Sequence, residues 1–313
     1  MRLLITGGAG CLGANLVAAY LPRGHEILVI DNLATGRREA LPDASGLTLV
    51  EGTVAEPATV ERAFADFRPT HVVHSAAAYR DPDDWREDAL TNVTGTINVV
   101  EAARRAGIVR FVNFQTALCY GRPDRLPIPV DHPTRPFTSY GVSKTAGEAY
   151  VALSPLSWAS LRLANITAPG LAIGPIPAFY QRLKNRQNCF CTSAVRDFLD
   201  IEDFIDLMDL VLRDNAPTGL FNVSTGSGHT IKEVYDAVAA ALGIVPSEPV
   251  AVVAPGADDV PAVVLDPSRT CEAFGWRAKV GFAESIARMV RWYDAHGVGP
   301  IHSHLRPAAG ERR

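Results

Sequence analysis

The stretch Arg2-Leu3-Leu4-Ile5-Thr6-Gly7-Gly8-Ala9-Gly10-Cys11-Leu12-Gly13 decides the fold. A short apolar run ending at Thr6 reads as a buried strand, and a helical pattern over 11–21 follows the glycines. Gly7, Gly10 and Gly13 keep a spacing of three, in place of the more familiar G-x-G-x-x-G. The physics is shared: small residues let the turn close and a pyrophosphate approach the backbone. The helix then points its N-terminal N–H groups and positive dipole end at the phosphates. Glycine runs are common in loops, so the weight lies in this one's place between strand and helix.

Working outward, short apolar runs at 26–30, 47–51, 71–75, 109–115 and 158–164 alternate with helical patterns at 56–67, 83–106 and 138–153. That alternation predicts βαβ units and a parallel sheet, an α/β fold of the Rossmann, doubly wound kind. After about residue 165 the texture changes: Pro169-Gly170, Gly174-Pro175 and Pro177 break it up, and helices are predicted at 176–186, 202–213, 230–243, 267–274 and 282–296. The reading is a dinucleotide-binding domain over 1–165 and a smaller mixed α/β substrate lobe over 166–313, whose segments can interleave.

The second strand ends at Asp31, eighteen residues after Gly13, where a carboxylate can accept from a ribose diol. This favours NAD, since Asp31 repels a 2′-phosphate. Arg37 and Arg38 keep NADP as the alternative, and a turn or cap is the alternative role for Asp31.

With 313 residues, 47% of them hydrophobic, the chain has material for a large core. A net charge of -4 with scattered basic residues excludes a nucleic-acid or anionic-membrane footprint. No apolar run reaches the length of a membrane span, and the chain opens on a strand with no export signal. Five cysteines, an odd number in a chain too large to need staples, fit a cytoplasmic setting. No metal is expected: Cys189 and Cys191 read as alternating residues of a strand, and His302-Ser303-His304 lacks a third ligand at fixed spacing.

Tyr140-Gly141-Val142-Ser143-Lys144 places Tyr140 and Lys144 four apart on one helix face. A phenol is a poor base at neutral pH, but an adjacent ammonium and a nicotinamide charge can pull its pKa down. A helix-surface pair is the default meaning of Y-x-x-x-K. The run Phe111-Val112-Asn113-Phe114-Gln115-Thr116 changes that by delivering a hydroxyl to a strand end.

Taken in order, Gly7 to Gly13, Asp31, His74-Ser75-Ala76-Ala77-Ala78, Asn92-Val93-Thr94-Gly95-Thr96, Thr116 to Gly121 and Tyr140 to Lys144 resemble the extended short-chain dehydrogenase/reductases, the nucleotide-sugar epimerases and dehydratases. Leu161 to Asn165, Arg196 to Asp203 and Leu265 to Arg269 resemble that family's substrate-lobe signatures, so the likeness spans nearly the whole chain. The resemblance implies that Tyr140 is the base, that Thr116 polarises the reacting hydroxyl, and that Lys144 holds the nicotinamide ribose. It implies that Cys11, Leu12, Asn32, Val54, Ala76, Ala77, Ala78 and Asn92 line the NAD site. Asn165 and Arg196 would meet the sugar nucleotide, a guanidinium being suited to bidentate bonds with phosphate. An ion pair with Asp197 or Asp200 is the alternative for Arg196. Tyr79 faces either the sugar or the nicotinamide. A homodimer through 83–106 and 138–153 is also implied.

Family members that dehydrate carry Asp-Glu after the threonine; this chain has Ala117 and Leu118, and neither can move a proton. Cys119 sits one residue from where a second acid-base cysteine stands in relatives, and is read as core. What remains is a 4-epimerase acting through a 4-keto sugar on a nucleotide-diphosphate sugar, UDP-linked by preference. A net oxidoreductase using the same three residues and a silent NAD-binding sensor are the competing readings. The stretches Thr116 to Gly121 and Asp81-Pro82-Asp83-Asp84-Trp85 resemble epimerase-like enzymes of bacterial surface-polysaccharide sugar pathways, bringing uronic or acetamido sugars into view. Two positions depart from the family: Thr53 where an aspartate is common, and Pro255-Gly256-Ala257-Asp258 where a diphosphate-clamping arginine is expected.

Overall fold

The computed structural model describes residues 1–246, 248–256 and 259–301. Ala257, Asp258 and the His302-Ser303-His304 tail lie outside the described residues. The strands come in chain order as β1 (Arg2–Thr6), β2 (Glu26–Asp31), β3 (Leu47–Glu51), β4 (His71–His74), β5 (Arg110–Thr116) and β6 (Trp158–Leu163). Then follow β7 (Asn165–Thr167), β8 (Phe190–Thr192), β9 (Val195–Arg196), β10 (Phe198–Asp200) and β11 (Gly219–Val223), before the short β12 (His229–Thr230), β13 (Ala251–Val253) and β14 (Ala262–Val263). Seven of them form one parallel sheet in the order β11-β6-β5-β4-β1-β2-β3. The order reverses between β1 and β4, which opens a crevice at their carboxyl ends where such sheets take ligands.

Alternation along each strand supplies both faces of the sheet. Leu3 and Ile5 of β1 point to one side, packing with Leu16 and Val17 of α1 (Cys11–Tyr20) and with Phe204, Leu207 and Met208. Leu4 points to the other, toward Val60 and Phe64 of α2 (Pro57–Phe67) and Val99 and Ala103 further on. The helical pattern expected over 83–106 is three pieces: α3 (Trp85–Asp88), a π-turn over Ala89–Gly95, and α4 (Thr96–Ala106). Apolar periodicity does not register one extra residue per turn. Here the distortion lies beside the crevice, as such turns often do at functional sites. Thr138 caps α5 (Ser139–Leu153) by accepting from the Gly141 N–H at 3.1 Å.

A cut at residue 165 does not separate the two lobes. After β6 the chain leaves the sheet, builds α6 (Pro175–Lys184), and then returns: α7 (Ile201–Val211) packs on the sheet and β11 pairs with β6 as its outer strand. Local periodicity does not mark Gly219–Val223 as a strand, because its burial comes from pairing with β6 and from the packing of Phe221 against Phe274. The second lobe has its own core between α6, α8 (Ile231–Ala241) and α10 (Phe282–His296), with Phe179, Tyr235 and Ile286 at its centre. Between α8 and α10 lies the short α9 (Ser268–Phe274). Among the described residues, no helix is long and apolar enough to cross a membrane.

Candidate active site

The glycine turn is built by close approach. Gly7 has a φ of +67°, and a Cβ there would lie 2.7 Å from the backbone of Ala76. A Cβ on Gly13 would lie 2.5 Å from the Gly7 carbonyl oxygen and from the Gly8 Cα. Gly10 is the N-cap of α1, and nothing but the Gly7 oxygen, at 3.2 Å, stands near its missing Cβ. The first turn of α1 thus presents free N–H groups over a floor with no side chains, which is what a pyrophosphate requires.

Asp31 stands at the end of β2 and is buried. Its carboxylate accepts from the Ala9 N–H at 2.9 Å and the Leu33 N–H at 2.8 Å, binding the glycine turn to the next loop. The turn role and the ribose role are therefore compatible, since each oxygen keeps a lone pair. Asn32 closes a turn with the Ala34 N–H and is exposed. Arg37, the NADP alternative, leans instead toward Glu39 at 3.8 Å. These residues fit a dinucleotide with a free adenosine ribose.

Ala76 donates its N–H to Thr6, and Ala78 exchanges two bonds with the Asn92 side chain, 2.8 Å to Oδ1 and 2.9 Å from Nδ2. Asn92 also donates to Ser143 of α5 at 3.0 Å. It braces the π-turn, the alanine segment and α5 together, so both of its amide hydrogens are engaged by protein. Ala77 is half-buried in that segment, and Val54 is buried beneath Gly95. The Cys11 thiol points at the Pro169 carbonyl at 3.5 Å, and Leu12 packs against the sheet core. Burial pushes the Cys11 thiol up to about 12, which disfavours its thiolate.

Thr116 ends β5, and its hydroxyl oxygen accepts from the Leu118 N–H at 3.2 Å. That leaves its proton free, and the Thr116 and Tyr140 side chains are hydrogen-bonded to each other. Tyr79 meets the Tyr140 ring edge-on at 6.3 Å and bonds to Thr35. Burial raises the Tyr140 pKa, Tyr79 and Asp88 add to the rise, and the hydrogen bond with Thr116 opposes it. The same desolvation penalises the neighbouring ammonium: burial pulls Lys144 down to about 8, against the attraction of Glu148.

Arg196 forms an ion pair, but with neither expected partner. Asp259 takes it, both side chains being 15% exposed. Asp197 is occupied by Thr225 and Gly226, and Asp200 by Ser285 and the Glu202 N–H. Asn165 begins β7 and is exposed, its side-chain amide donating to the Asp197 carbonyl at 3.1 Å. Cys119 is fully buried, in a 3-10 turn over Ala117–Tyr120 rather than on an alternating strand. Among the described residues no group of three or more His, Cys, Asp or Glu could hold a metal. The residues overlooked from sequence were Asp88, Glu148, Arg162 and Asp259. Glu148 carried a signal, lying four residues beyond Lys144 on the same helix face.

The family described as "NAD dependent epimerase/dehydratase family" matches residues 3–224. The chain belongs to that family. It is 33% identical over 314 residues to the UDP-glucose 4-epimerase of Mycolicibacterium smegmatis, covering 94% of this chain and 98% of the relative. Among solved structures, the Bordetella bronchiseptica enzyme WbmG in complex with NAD and UDP is 63% identical, with a TM-score of 0.93 and 98% of each chain covered. The enzyme WbmH of the same organism, in complex with NAD+, is 42% identical with a TM-score of 0.90, over 95% of this chain and 99% of that one.

Proposed function

We propose that this protein is an NAD-dependent 4-epimerase of a nucleotide-diphosphate sugar, a UDP-sugar by preference. The observation that carries the reading is the hydrogen-bonded Thr116 and Tyr140 pair at the carboxyl end of β5, with apolar Ala117 and Leu118 where elimination would need an acid and a base. When bound, NAD would supply a hydride acceptor and donor for the sugar carbon and a positive charge that favours the phenolate. Tyr140 takes the proton of the C4 hydroxyl, and Thr116, its own oxygen held by Leu118, donates to the oxygen that becomes the ketone. When the sugar has turned over, Tyr140 returns the proton. Lys144, Gly7, Gly10, Gly13, Cys11, Leu12, Asp31, Asn32, Val54, Ala76, Ala77, Ala78 and Asn92 form or brace the cofactor cradle in this reading. Tyr79, Asn165 and Arg196 face the substrate, and Arg196 meets a diphosphate by exchanging Asp259 for it. The UDP preference is supported by the relatives named above. Five reduced cysteines support a cytoplasmic setting.

The test is NMR of the purified protein with a panel of UDP-, GDP-, CDP- and ADP-sugars. The expected result is interconversion of C4 epimers with no net NADH absorbance. Stoichiometric NADH release would instead make the protein a net oxidoreductase.

A homodimer is part of the same reading. Trp85 (66% exposed) and Leu90 on the α3 side, with Val142, Tyr150 and Leu153 (81% exposed) on α5, leave an apolar face open to water. A second copy of this chain would cover it. Light scattering is expected to give twice the chain mass, and Leu153→Glu with Trp85→Glu to give one chain; a monomeric parent would exclude the dimer.

A further inference from the structure

Arg162 of β6 and Glu148 of α5 form an ion pair whose side chains are 5% and 6% exposed. The guanidinium Nη2 lies 2.6 Å from Glu148 Oε1, and Nε lies 3.2 Å from both carboxylate oxygens. Its other end donates through Nη1 to the Tyr120 hydroxyl at 3.0 Å and the Val130 carbonyl at 3.1 Å. The Tyr120 hydroxyl in turn donates to Asn222 Oδ1 at 2.7 Å, and Ser160 donates to Glu148 at 2.8 Å. Every strong hydrogen-bonding atom of the cluster is engaged.

For stability alone this is a poor use of two charges, because a well-packed apolar pair of similar volume avoids their desolvation. Its place in the fold gives it another use. Glu148 is one helical turn beyond Lys144 and two beyond Tyr140 on the same face. Tyr120 ends the 3-10 turn that starts directly after Thr116. A planar fork can hold both at fixed angles, which a lysine ammonium cannot. The Gln115 amide makes a separate backbone link between the strand end that carries one reacting hydroxyl and the helix that carries the other, accepting from the Thr116 N–H at 2.7 Å and donating to the Lys144 carbonyl at 2.9 Å. The guanidinium ties the side chains that follow on each, Tyr120 and Glu148.

We infer that Arg162 is a positioning residue, its guanidinium fixing, together with the Gln115 bridge, the separation of the Thr116 and Tyr140 hydroxyls by holding Tyr120 and Glu148 together. The inference rests on the epimerase reading for its kinetic consequence and on geometry alone for its structural one. Arg162→Lys and Tyr120→Phe, made in the full-length NAD-loaded protein, test it, with the most rapidly epimerised sugar of the panel as probe. Misplacement on the scale of an ångström costs on the order of 100-fold in rate. The expected result for Arg162→Lys is therefore a kcat lower by about 10- to 100-fold, with KM and NAD affinity within about twofold of the parent. Tyr120→Phe, which keeps the ion pair and loses one link, should fall between that and the parent. A crystal structure of Arg162→Lys should show the two hydroxyls further apart. An unchanged hydroxyl separation would overturn the inference, as would a kcat that holds in both variants or falls only in step with the folded fraction. If the parent turns over no nucleotide sugar, the epimerase reading fails instead, and the crystallographic separation still decides the role of Arg162.

Discussion

Tyr140→Phe is expected to lower kcat by about 10³- to 10⁴-fold while NAD stays bound, the upper part of the range that one acid-base group contributes. The Thr116 oxygen is held by the Leu118 N–H, so its proton points at the Tyr140 oxygen, and a C4 hydroxyl bridging the two would lose its proton to the phenolate. Phenylalanine keeps the ring and its edge-on contact with Tyr79, so packing survives and only the proton path goes. The sign of the pH dependence follows. Burial, Tyr79 and Asp88 all hold the phenol in its neutral form, so kcat/KM should climb toward alkaline pH until the base is ionised. Removing the Asp88 charge should move that climb to lower pH. Steady-state kinetics across pH, with NAD content measured on the same samples, checks both. A phenylalanine variant that turns over at the parental rate would remove Tyr140 from the mechanism.

Why Tyr140, Thr116 and the glycine turn were legible while the Arg162 cluster was not comes down to range. A strand followed by spaced glycines, a carboxylate at the next strand's end, and a Tyr-Lys pair on one helix turn are local patterns, fixed by backbone geometry within a few residues. The parallel sheet is legible for the same reason, since buried strands are continuous apolar runs. Arg162 lies in such a run and its partners are 14, 32 and 42 residues away, so no spacing marks it. The return of β11 to the sheet, the partner of Arg196 and the direction of the Tyr140 shift are alike: each depends on what tertiary packing buries. The phenol shows this most clearly. Sequence places a positive charge beside it, yet the burial that brings them together also weakens that charge.

Gly13→Ala is expected to destabilise the protein and to abolish tight NAD binding, whereas Gly10→Ala should affect the cofactor alone. A methyl on Gly13 would sit 2.5 Å from the Gly7 oxygen and the Gly8 Cα, both backbone atoms that cannot rotate away. The turn must open, and overpacking of this kind costs about 1–3 kcal/mol. For a protein of this size that lowers Tm by roughly 1.5 °C per kcal/mol. The opening also carries Gly7 off Ala76 and shifts the Ala9 N–H from Asp31, so the two ends of the cradle move apart together. At Gly10 the new methyl would meet one oxygen at 3.2 Å and otherwise point into open space above the first turn of α1. That space is where a pyrophosphate approaches the helix N-terminus, so the apo protein should melt as the parent does while NAD affinity falls about tenfold or more, the effect of a lost close approach of about 1.4 kcal/mol. Calorimetric melting and NAD titration of both variants separate the cases. Equal melting temperatures for Gly13→Ala and the parent would mean that the turn is not the rigid floor its contacts describe, and undiminished NAD affinity in Gly10→Ala would place the pyrophosphate elsewhere.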